Sequence, residues 1–269
     1  MSAIVFPPRP RVRLWDVTTT LADFAIITYA VEPAALAALL PVAFEPDVFT
    51  LGDGRRVAFV SAVPFHDLDF RFGFAPWLKF RFGQTNYRAY VTYRGERCVW
   101  FFGTSLATHW VLIPRYGWKL PWHHARLRIE TVWAGERCVR YHLAATGAWG
   151  NARAELAGSD TPMGQLDGFA DAEETALVLT HPLTGYYQRR DGRLGSYSVW
   201  HERLDPRRGT AGHARFEVFE ALGLVTPETT PHSVLLQRRT EFIIRLPPRR
   251  LGLIETRGEL VDSSVRARR

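Results

Sequence analysis

Between residues 48 and 145 the chain is a succession of short apolar segments, and this succession constrains the fold more than any other feature. Each segment is rich in β-branched or aromatic residues and is bounded by Gly, Pro or Asp. Turn signals such as "LGDGRR" and "YRGER" separate the segments. Spacing this regular predicts an antiparallel barrel or sandwich. The segments are "RRVAFVSAVPF", "QTNYRAYVTY", "RCVWFFGTSL", "ARLRIETVWA" and "RCVRYHLAA".

The flanking sequence predicts further strands and a few short helices. "LADFAIITYAV" is a buried strand by composition, and "EPAALAALLP" predicts a helix with Pro33 in its first turn and Pro41 as its stop. A second short helix with an acidic first turn is predicted at about residues 171–178. "RFEVFEALGLV" fits a helix or a strand equally well, and "HSVLLQRRTEFIIRLPPRRL" supplies one or two more strands.

These segments predict one β-rich domain over residues 15–256. Residues 1–14 form an extended arm, because three prolines exclude a helix there. Residues 257–269 form a loose basic tail.

The composition excludes several classes of protein. Hydrophobic residues make up 46% of the chain, which is enough for a packed core and argues against disorder. The net charge is +7, but the arginines are scattered beside acids, as in "HERLDPRR", so nucleic-acid binding is not predicted. Cys98 and Cys138 supply neither a disulfide framework nor a zinc cluster. With no apolar run near the length of about 18 residues that a membrane span needs, the expected location is the cytoplasm.

Sequence motifs for metals and common cofactors are also missing. There is no HExxH, no HxH, no GxGxxG loop and no GxSxG elbow. His66, Asp67 and Asp69 in "FHDLDF" lack the spacing of a metal site. We therefore expect no metal and no cofactor.

"YGWKLPWHHARL" contains Lys119, one of two lysines in the chain. A lysine amine attacks carbonyl groups when burial or a neighbouring cation lowers its pKa. The alternative is that Lys119 lays its stem along tryptophan rings while its ammonium reaches water. His123 and His124 are adjacent, so in a strand they point to opposite faces and cannot both bind one metal ion.

"FGQTNYRAYVTY" places polar residues on one face of a predicted strand. Gln84, Asn86, Arg88 and Tyr90 alternate along it and so share that face. Arg88 can grip a carboxylate through two hydrogen bonds, and Asn86 can orient a carbonyl group. The alternative is an exposed polar face on which Arg88 forms an ordinary salt bridge.

The order of segments along the chain resembles the bacterial family called domain of unknown function 2071, which is related to acetoacetate decarboxylase. The resemblance covers roughly residues 15–250 and rests most on "NYRAYV", "KLPWHHARL" and the final "HS…LPPRR" strand. It implies a β-rich α+β fold: a single-domain, bent antiparallel β-barrel or β-cone with a few peripheral helices. It also implies a closed central cavity.

The chain departs from the decarboxylase pattern at its reactive centre. Acetoacetate decarboxylases present a Schiff-base lysine in a motif of the type Phe-Pro-Lys-Lys, whose second lysine lowers the pKa of the first. The matching segment is "LPWHH", in which Pro121 matches the proline while Trp122 and His123 stand in place of the lysines. The family's catalytic glutamate would fall near "TNYRAY", where the chain offers Asn86 and Arg88.

The leading hypothesis is a central cavity, without a Schiff-base lysine, that binds a small anionic or carbonyl-bearing molecule. Arg88 would hold the negative group, Asn86 would orient it and Trp122 would form an apolar wall. His123 would donate a hydrogen bond or move a proton in a lyase or isomerase reaction on a keto or enol compound.

Two alternatives stay open on sequence alone. The first is an imine-forming decarboxylase or aldolase that uses Lys119. The second is a non-catalytic interaction protein whose cavity is filled by its own side chains. All three hypotheses are compatible with a homo-oligomer and require neither a membrane nor nucleic acid.

Overall fold

The computed structural model describes residues 7–108 and 117–254. The predicted tail at 257–269 and the first six residues of the predicted arm lie outside the described residues. The strands are β1 (Val17–Val31), β2 (Phe44–Pro46), β3 (Val48–Thr50), β4 (Arg56–Phe72), β5 (Phe80–Tyr93), β6 (Glu96–Leu106), β7 (Trp122–His124), β8 (Arg126–Ala134), β9 (Arg137–Thr146), β10 (Ala152–Pro162), β11 (Thr184–Gln188), β12 (Arg193–His201), β13 (Arg207–Phe216), β14 (Ser233–Ile244) and β15 (Arg249–Leu253). The helices are α1 (Pro33–Leu39), α2 (Ala172–Thr180) and α3 (Glu217–Ala221).

Seven of the strands pair into a closed ring. They follow one another in the order β12, β11, β6, β5, β4, β1 and β14, and the pairing of β12 with β14 closes the ring. The β-rich prediction with few helices is confirmed. The sheet is mixed, however, because β6 pairs in parallel with both β11 and β7.

The remaining long strands extend the sheet beyond β14 in the order β13, β10, β9 and β8. This extension packs against the outside of the ring. The Tyr141 hydroxyl on β9, for example, donates a hydrogen bond to the Pro64 carbonyl oxygen on β4 at 3.4 Å. The sheet therefore encloses two separate apolar cores.

The alternation of side chains along β4 shows how one strand serves both cores. Ala58, Val60 and Ala62 belong to the core between the ring and the extension. Phe59 and Phe65 belong to the core inside the ring. Because alternate residues of a strand point to opposite faces, a strand that is buried on both sides is apolar at nearly every position.

The three helices named above are short, and two of them match predicted segments. In α1, Pro33 occupies the first turn as predicted. The N-cap of α2 is Asp171, whose carboxylate accepts a hydrogen bond from the Glu174 backbone N–H at 2.7 Å. The ambiguous segment "RFEVFEALGLV" contains α3, which begins at Glu217 where β13 ends.

Candidate ligand-binding cavity

A cavity of about 520 Å³ lies inside the ring of seven strands. Strand β5 lines it with Phe80, Phe82, Gln84, Asn86 and Arg88, which are alternate residues and so share one face. These five residues span eight residue steps, which at about 3.4 Å per step is roughly 27 Å. The cavity is therefore elongated along β5, and its volume falls in the range of small-molecule sites.

The two ends of the cavity differ in exposure. At the outer end Phe74, Leu78 and Arg81 line the cavity and are exposed to solvent, so this end is the mouth. At the inner end the lining residues Val99 and Thr180 are buried. The wall between them is mainly apolar and includes Leu21, Phe24, Val63, Phe65, Phe101 and Phe242.

Arg88 is the charged group of the inner end. Its Nη2 donates hydrogen bonds to the Leu179 carbonyl oxygen at 2.8 Å and to the Tyr90 hydroxyl at 3.2 Å. Leu179 lies in the last turn of α2, where a cation interacts favourably with the helix dipole. The Nε of Arg88 is buried and has no hydrogen-bond partner among the described residues. Part of the guanidinium is thus held by protein, while Nε is left for another acceptor.

Asn86 is oriented by its neighbour on β6. The Thr104 hydroxyl donates a hydrogen bond to Asn86 Oδ1 at 2.8 Å. This hydrogen bond fixes the orientation of the amide, and the Nδ2 group of Asn86 can donate hydrogen bonds to a ligand.

His201 lies at the end of β12 and also lines the cavity. Burial lowers its pKa to about 4, with smaller contributions from His181 and Arg88, so the ring is neutral at pH 7. Its Nδ1 lies 2.7 Å from the Glu202 carbonyl oxygen, which can only accept a hydrogen bond. The proton therefore sits on Nδ1, and Nε2 carries the free lone pair.

Asp67 is the acidic group of the cavity. It lies on β4, is only 2% exposed, and accepts a hydrogen bond from the Thr19 hydroxyl at 2.8 Å through Oδ1. Its Oδ2 is buried without a hydrogen-bond partner in the described part of the chain. Burial, which outweighs the bond from Thr19, raises the pKa of Asp67 to about 7.

The structure brings three of the five sequence-predicted site residues to the cavity. Asn86, Arg88 and Trp122 line it. His123, the next residue of β7, stacks on the Trp149 ring with a centroid distance of 4.1 Å. His123 is not among the lining residues that the structure describes.

Lys119 is also not among the lining residues of the described chain, although Trp118 and Leu120 on either side of it are. It adopts a left-handed backbone conformation with φ of 57° and lies outside any strand. Lys79, the other lysine, pairs with Asp69 at 3.3 Å.

Sequence reasoning did not assign His201 or Asp67 to the site. The segment "FHDLDF" raises Asp67 only as a candidate metal ligand, and the other two candidates, His66 and Asp69, pair with other residues. His66 contacts Asp23 at 2.9 Å, and Asp69 pairs with Lys79. Within residues 7–108 and 117–254 no cluster of three or more metal-ligating side chains is present. The usable signal was the alternation of β4, which places Asp67 on the same face as Phe65.

The strand-rich mixed sheet around the cavity matches the acetoacetate decarboxylase-like fold. The chain belongs to the family called domain of unknown function 2071, described as an uncharacterized conserved protein, which matches residues 18–241. A search of curated proteins found no match.

Several solved structures share the fold at low sequence identity. The enduracididine biosynthesis enzyme MppR, complexed with pyruvate, is 14% identical with a TM-score of 0.58, over 90% of this chain and 91% of that one. An acetoacetate decarboxylase-like enzyme from Sphingomonas wittichii RW1 is 11% identical with a TM-score of 0.57, over 94% and 99%. The acetoacetate decarboxylase from Legionella pneumophila is 13% identical with a TM-score of 0.54, over 92% and 93%. None of the helices in the described part of the chain has the length and apolar character that crossing a bilayer requires.

Proposed function

We propose that this protein binds an elongated organic molecule with a carboxylate or carbonyl head and an apolar body. The observation that carries the proposal is the buried Nε of Arg88, unpaired among the described residues, at the inner end of a long apolar cavity. The head lies against Arg88 and Asn86, which supply donors, and the body extends toward Phe74 and Leu78 at the mouth. Binding without an imine is supported by Trp122, which lines the cavity where the family resemblance would put the reactive lysine.

The length of the cavity favours ligands longer than pyruvate. One of the structural relatives, MppR, is complexed with pyruvate. In this chain β5 alone lines the cavity over roughly 27 Å, and the lining residues from the other segments are mainly apolar. A two- or three-carbon acid would leave this apolar surface uncovered, whereas a long acyl chain would bury it.

The first test is a thermal-shift series with acetoacetate, octanoate, dodecanoate and dodecan-1-ol. The melting temperature should rise most with dodecanoate, because it combines the head with the longest apolar body. A ligand at 100 times its dissociation constant should add about 2.7 kcal/mol to the free energy of unfolding. If none of the four compounds raises the melting temperature, the proposal fails and the hypothesis of a cavity filled by its own side chains is favoured.

A pair of arginine variants locates the head of the ligand. Arg88→Gln should remove the preference for dodecanoate over dodecan-1-ol, and Arg88→Lys should restore part of it through charge alone. Arg81→Gln is the matched control, since Arg81 lines the exposed mouth. If Arg81→Gln removes the preference while Arg88→Gln does not, the orientation proposed for the ligand is wrong.

We assign histidine-mediated proton transfer in this cavity to His201 instead of His123. Because its Nε2 carries a lone pair, the neutral ring accepts a proton from the carbon next to a keto group bound at Arg88. Exchange of those hydrogens for deuterium in a long-chain keto acid, followed by NMR, measures this step. His201→Phe should abolish the exchange, and His123→Phe should leave it unchanged. Exchange that survives His201→Phe would contradict the assignment.

The imine alternative is tested by borohydride reduction with pyruvate and with a long-chain keto acid, followed by intact mass and peptide mapping. Under the proposal, Lys119 gains no adduct. An adduct on Lys119 would overturn binding without an imine, whereas an adduct confined to Lys79 would reflect exposed surface chemistry, because Lys79 is half-exposed.

A further inference from the structure

The Asp67 carboxyl group is an unusual component of the cavity wall. One of its oxygens is engaged by Thr19, and the other is buried without a partner in the described chain. A buried polar atom that lacks a hydrogen bond destabilises the folded state, so such atoms are rare in folded proteins and call for an explanation. The neighbouring strands place apolar residues beside Asp67, namely Leu21 on β1 and Phe82 on β5, and neither side chain can form a hydrogen bond with Oδ2.

Asp67 is far from the proposed site of the ligand's head. On β5, Phe82 lies opposite Asp67, and Arg88 lies opposite Ser61. Six residue steps separate Phe82 from Arg88, which at about 3.4 Å per step is roughly 20 Å along the strand. Between Asp67 and Arg88 the cavity wall is apolar on β4, which contributes Val63 and Phe65, whereas β5 contributes the amides Gln84 and Asn86.

We propose that Asp67 forms a second polar subsite, which holds an oxygen on the apolar body of the ligand. This inference rests on the function proposed above, and it narrows the ligand class to elongated oxo- or hydroxy-acids. The head of such an acid binds Arg88, and its second oxygen, a carbonyl or a hydroxyl, exchanges a hydrogen bond with Oδ2 of Asp67.

The environment of Asp67 suits this role. With its pKa raised to about 7 by burial, a large share of the carboxyl is protonated at neutral pH. The neutral acid donates one hydrogen bond from Oδ2, while Oδ1 continues to accept from Thr19. A carbonyl oxygen on the ligand can therefore be held without an ion in the cavity wall.

The test compares octadecanoate with octadecanoates that carry one keto group near the carboxylate, at mid-chain or near the far end, because a chain of this length spans the roughly 20 Å between Asp67 and Arg88. With the unaltered protein, at least one keto isomer should bind about fivefold to tenfold more tightly than octadecanoate. Asp67→Leu should abolish this advantage, so that no keto isomer binds more tightly than octadecanoate does. Asp67→Asn should keep the advantage, because its amide accepts from Thr19 and donates to the ligand. Asp69→Asn, an exposed change on the same strand, is the control.

The outcomes separate the subsite from the function on which it rests. If octadecanoate binds and every keto isomer binds equally well, or if the advantage survives Asp67→Leu, the subsite is wrong while the proposed function stands. If dodecanoate, octadecanoate and all the keto isomers fail to bind, both are overturned. If Asp67→Leu does not fold, loss of the advantage in Asp67→Glu, which displaces the carboxyl, supports the subsite, and its retention there contradicts it.

Discussion

Replacing Asp67 by asparagine should stabilise the protein, and the gain should increase with pH. The pKa of Asp67 is raised from an ordinary value of 3.8 to about 7 because burial disfavours the carboxylate. Between these two values the folded chain keeps a proton that the unfolded chain has lost. Stability contributed by this group is therefore lost as the pH rises from about 4 to about 7. Asparagine has no proton to lose, and it retains an oxygen for the Thr19 hydroxyl.

The size of the effect follows from the shift in pKa. A difference of about three pKa units, at 1.36 kcal/mol per unit, corresponds to about 4 kcal/mol. The Asp67→Asn variant should therefore exceed the parent in free energy of unfolding by about 1 to 2 kcal/mol at pH 5 and by about 4 kcal/mol at pH 8. The group is 2% exposed, so solvent screening reduces this figure little.

Urea unfolding followed by tryptophan fluorescence at the two pH values measures the difference, since the chain has 9 tryptophans. Asp69→Asn is the matched control on the same strand. Asp69 forms an exposed ion pair with Lys79, and such pairs contribute about 0 to 1 kcal/mol. An Asp67→Asn gain that is the same at pH 5 and at pH 8 would refute the desolvation of Asp67, and with it the argument for a neutral acid in the cavity wall.

Three further substitutions test other parts of the structure. Trp122→Lys places an amine on the cavity wall, so borohydride with pyruvate should give an adduct at position 122 that the parent chain lacks; an equal adduct in the parent would contradict this. Asp23→Ala should lower the free energy of unfolding by roughly 2 to 4 kcal/mol in urea melts, because Asp23 accepts a hydrogen bond from the Trp133 indole at 2.8 Å and has a φ of 53°. Burial raises the pKa of Asp23, but its hydrogen bonds outweigh burial and lower the pKa overall. The stability that Asp23 contributes is therefore lost as the pH falls through its lowered pKa, so the effect of Asp23→Ala should shrink at acid pH. Gly195→Ala should cost about 1 to 3 kcal/mol, because its Cβ would lie 2.5 Å from the Tyr187 ring; an unchanged melting temperature would show that the ring moves aside.

Some of the site follows directly from the sequence. Gln84, Asn86 and Arg88 were placed on one face because alternate residues of a strand share a face, and all three line the cavity. That inference needed only the local pattern, and β5 is a long strand in which the pattern holds. The helix at Pro33–Leu39 was equally local, since proline marks its start.

Other parts depend on contacts between distant segments. His201 reaches the cavity through the pairing of β12 with β14, in which His201 lies opposite Phe242. Asp67 gains its hydrogen bond from Thr19, which is 48 residues away in sequence. A single sequence does not specify strand register between such segments, and a slip of one residue would move every side chain to the other face.

The placement of Lys119 and His123 shows the limit of strand parity. On a regular strand Lys119 and His123 would share a face, because they are four residues apart. The strand β7 contains only Trp122–His124, and Lys119 precedes it in a left-handed conformation. The alternation of faces along a strand therefore does not extend across the "KLP" segment. Within β7, Trp122 lines the cavity, and His123 stacks on Trp149.

The energetic cost of Asp67 bears on whether the cavity has a function. A folded domain is stable by about 5 to 15 kcal/mol, so a carboxyl that costs about 4 kcal/mol at pH 8 consumes a substantial part of that margin. An apolar residue at position 67 would pack against Leu21 and Phe82 without this penalty. Groups that violate packing rules without local compensation are found chiefly at functional sites, because a ligand there supplies the missing interaction. A ligand oxygen on Oδ2 would supply it, whereas a cavity filled by the protein's own side chains gives no reason to keep the acid.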